Sequence, residues 1–371
     1  MSTLKVNTIG NKGSAVDFPN KLKVRGNAIE QGYTASGTEP SSPSEGDFWW
    51  DSSNNVLYQY INSEFKTISL ESAFSWGGDR AIIAGGRDSS SNPLNIIDYY
   101  DITTAGNAAD FGDLTTGKTL CAACSSTSRG LIFNGYYGSG TDTQTIDYIT
   151  ISTLGNAADF GDSLHAAIKI SCASDGTYGF HIGGQGITTS STGQIGRVTI
   201  ATLGNATDFG DLTTNADYTG SVYGATYVHV GGGDRGGYSN VIDYFASASA
   251  GNASDFGDLT SAREEFDACG DATRGVWCGG RTSGSLSVNT MDYVTLGTTG
   301  NATDFGDLAA TRRVHACTSN KTYGTINGGL QSSTIKNTIQ RFTIQTTGDA
   351  SDFADLTQSN NYMGGCSGSP S

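Results

Sequence analysis

The stretch Gly106-Asn107-Ala108-Ala109-Asp110-Phe111-Gly112-Asp113-Leu114 decides how this chain is read, because it keeps returning. Copies begin at residues 106, 155, 204, 251 and 300, the second with Ser163 inserted, and a weaker copy begins at 348. The differences between successive starts are 49, 49, 47, 49 and 48 residues. Self-similarity at about 40–50 residues is the spacing of propeller blades, while most solenoid coils repeat faster.

Each unit shows the same order of signals. A short apolar strand ends in a Gly doublet: Gly85-Gly86, Gly183-Gly184, Gly231-Gly232, Gly279-Gly280 and Gly328-Gly329. A variable polar loop follows, then an alternating strand such as Ile146-Asp147-Tyr148-Ile149-Thr150-Ile151, the Gly-Asn turn, the Asp-Phe-Gly-Asp strand, and a closing strand that carries Cys. Four short strands per unit make one antiparallel blade with two apolar faces, and closing such blades on each other covers both. Six copies predict an all-β, six-bladed propeller over residues 74–371. Whether strands from both chain ends complete one blade is left open by the repeat.

Residues 1–35 read as a short β-rich anchor with strands at Thr3–Thr8 and Lys21–Val24, too little to bury a core alone. Residues 36–73 read as a Ser/Thr/Pro/Gly linker and a small β-hairpin module, with strands in 45–51, 54–60 and 64–68 and turns at 52–55 and 62–63.

Composition narrows the function. The 371 residues carry a net charge of −15, which speaks against nucleic acid or an anionic membrane as the main partner. No apolar run approaches the roughly 18 residues of a membrane helix, and the opening Met1–Val6 has no Sec-type pattern. Seven Cys cannot all pair within the chain. Cys124, Cys172, Cys269, Cys317 and Cys366 read as one recurring strand position, hence as small core residues rather than metal ligands.

The repeated pairs Asp110/Asp113, Asp159/Asp162, Asp208/Asp211, Asp255/Asp258, Asp304/Asp307 and Asp352/Asp355 raise calcium. Their recurrence in every unit favours a turn-fixing role for the carboxylates through backbone N–H groups, so no cofactor is expected. Glycoside hydrolysis needs one asymmetric pair of acids. Glu264 and Glu265, the only Glu of the repeats, are adjacent and on a strand would point to opposite faces, so no catalytic residue is assigned. His181 and His229 stand two residues before their Gly doublets, in a column shared with Ile83, Ile132, Trp277 and Ile326, and read as packing. Recognition is expected in the loops after the doublets, where Arg87, Tyr136, Tyr137, Arg235, Tyr238 and Arg281 are the candidate ligand contacts.

The Gly doublets and the Tyr of Ile-Asp-Tyr resemble kelch propellers, although the usual kelch Trp is mostly missing and Trp277 is out of place. Met1-Ser2-Thr3-Leu4-Lys5-Val6-Asn7-Thr8-Ile9 resembles the N-terminus of tail-fibre and other virion proteins of tailed bacteriophages. The Pro43–Asp51 segment and the Gly-Asn-Ala-Thr/Ser-Asp-Phe-Gly-Asp-Leu phrase are similar to modules of the same proteins. The resemblance implies a non-enzymatic virion component of tail-fibre or receptor-binding type. Its N-terminus would join other virion proteins as a homotrimer, and its C-terminal part would meet a host glycan or protein. The alternatives are a capsid decoration or head fibre without a receptor role, and a glycan-cleaving tailspike-like enzyme.

Overall fold

The computed structural model describes residues 23–370 apart from 25–26, 29–32, 52–55, 62, 69–77, 139–140, 187–189, 225 and 285. The strand expected at Thr3–Thr8 and the turn at 52–55 lie outside them. Among the described residues the regular structure is all β, with no helix, and it falls into two units, Met1–Phe74 and Ser75–Ser371.

In the first unit, Tyr33–Ser36 runs parallel to Phe48–Asp51, followed by antiparallel Val56–Ile61 and Glu64–Ile68. The parallel strand straddles the boundary expected at 35/36 and belongs to the module. Trp49 holds this sheet together. It stacks on Tyr58 at 4.8 Å, meets the edge of Phe65 at 5.3 Å, and its indole N–H donates to the Ser36 carbonyl at 3.1 Å.

The second unit contains six four-stranded antiparallel sheets. Sheets two to six begin at Ala122, Ser171, Gly220, Asp267 and Ala316, and each uses its strands in chain order. Sheet one takes Arg80–Ala84, Ile96–Asp101 and Ala109–Asp113, and its first strand is the chain's last, Gly364–Gly368, with Cys366 opposite Ile82. The strand that carries Cys in five of the six sheets thus starts its sheet instead of ending one, a shift of one strand from the sequence reading. Both ends of this unit share a sheet.

Neighbouring sheets are joined by three kinds of contact. The first strands lie side by side in a cycle that returns from sheet six to sheet one. Six apolar clusters each span two adjacent sheets, and the last packs Ile339 and Leu356 of sheet six with Ile83 and Ile102 of sheet one. The recurring phrase makes the outer joint. Gly155 N–H donates to the Phe111 carbonyl, Asp113 N–H to Asn156 Oδ1 at 3.0 Å, and Ala157 N–H to the Asp113 carbonyl. The same Asn clasp recurs from Asn205, Asn252 and Asn301, with Asp349 in place of Asn, and Asn107 closes it by accepting from Asp355 N–H. Five copies keep Gly in Phe-Gly-Asp, where a Cβ on Gly112 would sit 2.5 Å from the Gly155 carbonyl oxygen, while the sixth has Ala354. The amide-fixing group is therefore chiefly Asn, not the paired Asp carboxylates expected from the sequence.

Strand register corrects two further readings. In sheet four the left-handed doublet is Gly232-Gly233, not Gly231-Gly232. A run of three glycines hides the frame. His229 therefore pairs with Val222, one column away from His181, which pairs with Cys172. The five cysteines also occupy two adjacent positions, not one. Cys124 faces Leu131 as Ala173 faces Phe180, whereas Cys172 faces His181 one step earlier. Adjacent strand residues point to opposite faces, so these thiols serve different interfaces.

Candidate functional site

Each sheet is preceded by one residue in left-handed backbone: Leu120, Lys169, Tyr218, Glu265, Val314 and Tyr362, with φ between 50° and 60°. None is Gly, and for Val this conformation is a strained one. The strain accompanies a run of five backbone bonds between these residues, with a gap between Tyr218 and Glu265. Leu120 N–H donates to the Tyr362 carbonyl, Lys169 to Leu120, Tyr218 to Lys169, Val314 to Glu265, and Tyr362 to Val314, at 2.7–3.1 Å. Five of the six residues thus donate their amide to the corresponding residue of a neighbouring sheet.

The residue before each of these pairs with the residue three positions beyond the second strand, or in sheet two with that strand's last residue. The six bridges are Arg87 with Asn361, Thr119 with Tyr136, Ile168 with Gln185, Asp217 with Asp234, Glu264 with Arg281, and Arg313 with Leu330. The base of every variable loop is thereby fixed to the segment that leads into the first strand of its sheet. Arg281–Thr282 with Leu286–Ser287, and Leu330–Gln331 with Thr334–Ile335, add short hairpins to the loops of sheets five and six.

Side chains at this end form a polar and aromatic mouth. The Arg87 guanidinium lies 4.4 Å from the Tyr362 ring centre, and Lys169 Nζ lies 4.6 Å from that of Tyr218. The Tyr218 and Tyr362 rings meet at a tilt, with ring centres 6.4 Å apart. Burial, and then the neighbouring Tyr362 and Glu265, push the Tyr218 phenol above its ordinary range, so it stays a neutral donor. Below the mouth a cavity of about 90 Å³ reaches Ser171, Asp267 and Gly364 on the first strands.

The six sequence candidates are sorted by this geometry. Arg87 and Tyr136 come together along a groove of about 480 Å³ that also includes Asn92, Pro93 and Leu120. Arg281 approaches the Tyr238 ring at 6.0 Å. Tyr137 turns back on its own sheet, its hydroxyl bonded to Thr143 and Thr145. Arg235 is committed to Asp243 at 2.8 Å with its side chain 6% exposed, so it is scaffold and not an open ligand contact. Sequence reasoning missed Lys169, Tyr218 and Tyr362. Their signal was available, because positions 120, 169, 218, 265, 314 and 362 follow the spacing of the repeat.

Glu264 and Glu265 do not diverge. The left-handed turn at Glu265 breaks strand alternation, and both carboxylates converge on Arg281, at 2.6 and 3.4 Å. Arg313 adds a second ion pair to Glu265. Burial raises the Glu264 carboxyl, with the Arg281 hydrogen bond and charge opposing it. The pair is clamped between two guanidiniums, an arrangement that anchors a loop base.

His181 plays a structural part. Sheet three has Gly196 where other sheets have buried Asp98, Asp147, Asp243 and Asp292. The imidazole fills that space and accepts from Leu164 N–H at 3.3 Å, as Asp147 accepts from Thr115. Burial pulls its pKa down to about 3. Comparison of the sequence with protein-family models and with curated proteins finds no match.

Proposed function

We propose that Ser75–Ser371 is a six-bladed, kelch-like β-propeller that works as a rigid, non-catalytic recognition platform on a virion protein of tail-fibre or receptor-binding type. The cycle of first strands, the six shared cores and the Asn clasps support the ring. One observation carries the recognition role. All six loop bases are bonded to the hub at one end, where Arg87, Tyr136, Lys169, Tyr218 and Tyr362 gather on a backbone that cannot flex freely. Aromatic faces beside guanidinium and ammonium donors suit the apolar face and hydroxyls of a sugar, or a polar protein loop. The N-terminal anchor supplies attachment and trimerisation, and three copies convert weak single contacts into avidity.

The test is binding of the purified protein to host cells and to their isolated surface polysaccharide. Arg87→Ala with Tyr136→Ala should lower binding at least tenfold with unchanged thermal stability. Unchanged binding by that variant refutes the platform reading. Release of reducing ends from the polysaccharide would replace it with the glycan-cleaving reading. Antibody labelling of particles at the capsid, not the tail, would favour the decoration reading.

A further inference from the structure

The interface between sheets five and six holds three thiols that the recognition platform does not use. Cys269 lies on the first strand of sheet five, Cys278 on its second strand, and Cys317 on the first strand of sheet six. Their sulfur atoms all lie within 4.8 Å of one another, and the residues are 4, 0 and 4% exposed. They sit in a wall of Val276, Phe305, Ile326 and Phe342. Among the described residues this is the one group of three sulfur, imidazole or carboxylate donors so close together.

We propose that Cys269, Cys278 and Cys317 form a buried three-sulfur site for a soft monovalent metal ion, Cu(I). Metal–thiolate bonds near 2.3 Å would set three sulfurs about 4 Å apart around one ion, so closure needs movements of under about 1 Å. The donor set selects the metal class. Thiolates favour Cu(I) and Zn(II), but a zinc site takes four ligands, and the nearby Asp267 carboxylate is already held by the Cys317 and Ala268 amides and does not join the group of three sulfurs. Cu(I) is satisfied by the three sulfurs present. Met291, the cross-strand partner of Cys278, adds a thioether side chain to the same cluster. Each thiol that binds as thiolate releases one proton to solvent, with no change of oxidation state, so binding tightens as pH rises. The ion would add a metal link between two sheets already joined here by apolar contact and by the Cys317 amide bond to Asp267.

The fold shows which variants are tolerated. Ala173 in sheet three holds the position of Cys269, and Ala123 and Ala268 hold that of Cys317. Reduced full-length protein is given Cu(I) without oxygen, both natively and during refolding, then challenged with a Cu(I) chelator. The expected result is one retained Cu(I) per chain, an X-ray absorption spectrum with a shell of three sulfurs, and a raised melting temperature. Cys269→Ala and Cys317→Ala, each checked for unchanged apo-protein melting, should lose at least tenfold in retention. The double variant Cys124→Ala/Cys172→Ala should keep it. Full retention in Cys269→Ala and Cys317→Ala, no retention by the parent protein, or retention of Zn(II) but not Cu(I), would each overturn the site. None of these outcomes depends on the recognition role of the mouth.

Discussion

Replacing Asp292 by Asn leaves a buried guanidinium without its counter-ion. Arg263 Nη2 lies 2.9 Å from Asp292 Oδ2, and both side chains are fully buried. The same carboxylate accepts from Thr260 N–H at 3.2 Å and from its hydroxyl at 2.6 Å. In the variant one oxygen still serves Thr260, but an amide NH₂ replaces the other. Arg263 then keeps the Trp277 carbonyl at 3.2 Å as its hydrogen-bond acceptor. Breaking a buried pair by removing one partner costs about 3–5 kcal/mol. Sheet six suggests the lower end of that range. There Arg312, on the equivalent segment, is held by neutral oxygens of Gly328 and Thr338, and burial pulls its pKa down to about 10. That depression corresponds to about 3 kcal/mol against the charged form. Asp292→Asn should therefore cost about 3 kcal/mol, or about 6 °C in melting temperature for a unit of this size. Asp98→Asn is the control, because Asp98 accepts from Thr357 N–H and hydroxyl and no ion pair to it is found among the described residues. It should cost about 1 kcal/mol. Equilibrium urea unfolding, followed by fluorescence and circular dichroism, measures both. A loss under about 1 kcal/mol for Asp292→Asn, or equal losses for the two variants, refutes the ion-pair argument.

Three more outcomes follow from the same geometry. Gln340→Asp combined with Ala309→Thr gives sheet six the Asp–Thr pair of its siblings beside the unpaired Arg312, and should raise stability by about 1–2 kcal/mol in the same unfolding assay. His181 has a folded pKa of about 3 against an ordinary 6.5, so below 6.5 the unfolded chain binds a proton that the native state refuses. Its contribution, about 4–5 kcal/mol, is present above pH 6.5 and is lost as pH falls toward 3, so His181→Gln should flatten stability against pH across that window. Asn205→Ala removes one clasp bond and should cost about 1 kcal/mol by thermal unfolding, whereas Gly210→Ala should cost more than about 2, since its Cβ would lie 2.2 Å from the Gly251 carbonyl oxygen.

Much of the site was hidden from the sequence for identifiable reasons. Loop residues were singled out by variability, which finds Arg87 and Tyr136 but does not separate them from Arg235, whose partner Asp243 lies eight residues away and inside. Glu264 and Glu265 were separated by strand alternation, a rule that one positive φ cancels. The thiol trio was obscured because a slip of one residue merged two columns that face different interfaces.

The repeat alone determined the all-β class, the strand count per unit and the place of the variable loops, because hydrophobic period and Gly turns are local properties of the chain. It could not determine which sheet owns the Cys strand, that residues 364–368 complete the sheet begun at Arg80, or that Lys169, Tyr218 and Tyr362 meet at one mouth. Those facts come from contacts between residues tens to hundreds of positions apart. They exist only once each two-faced sheet has buried its apolar sides against its neighbours.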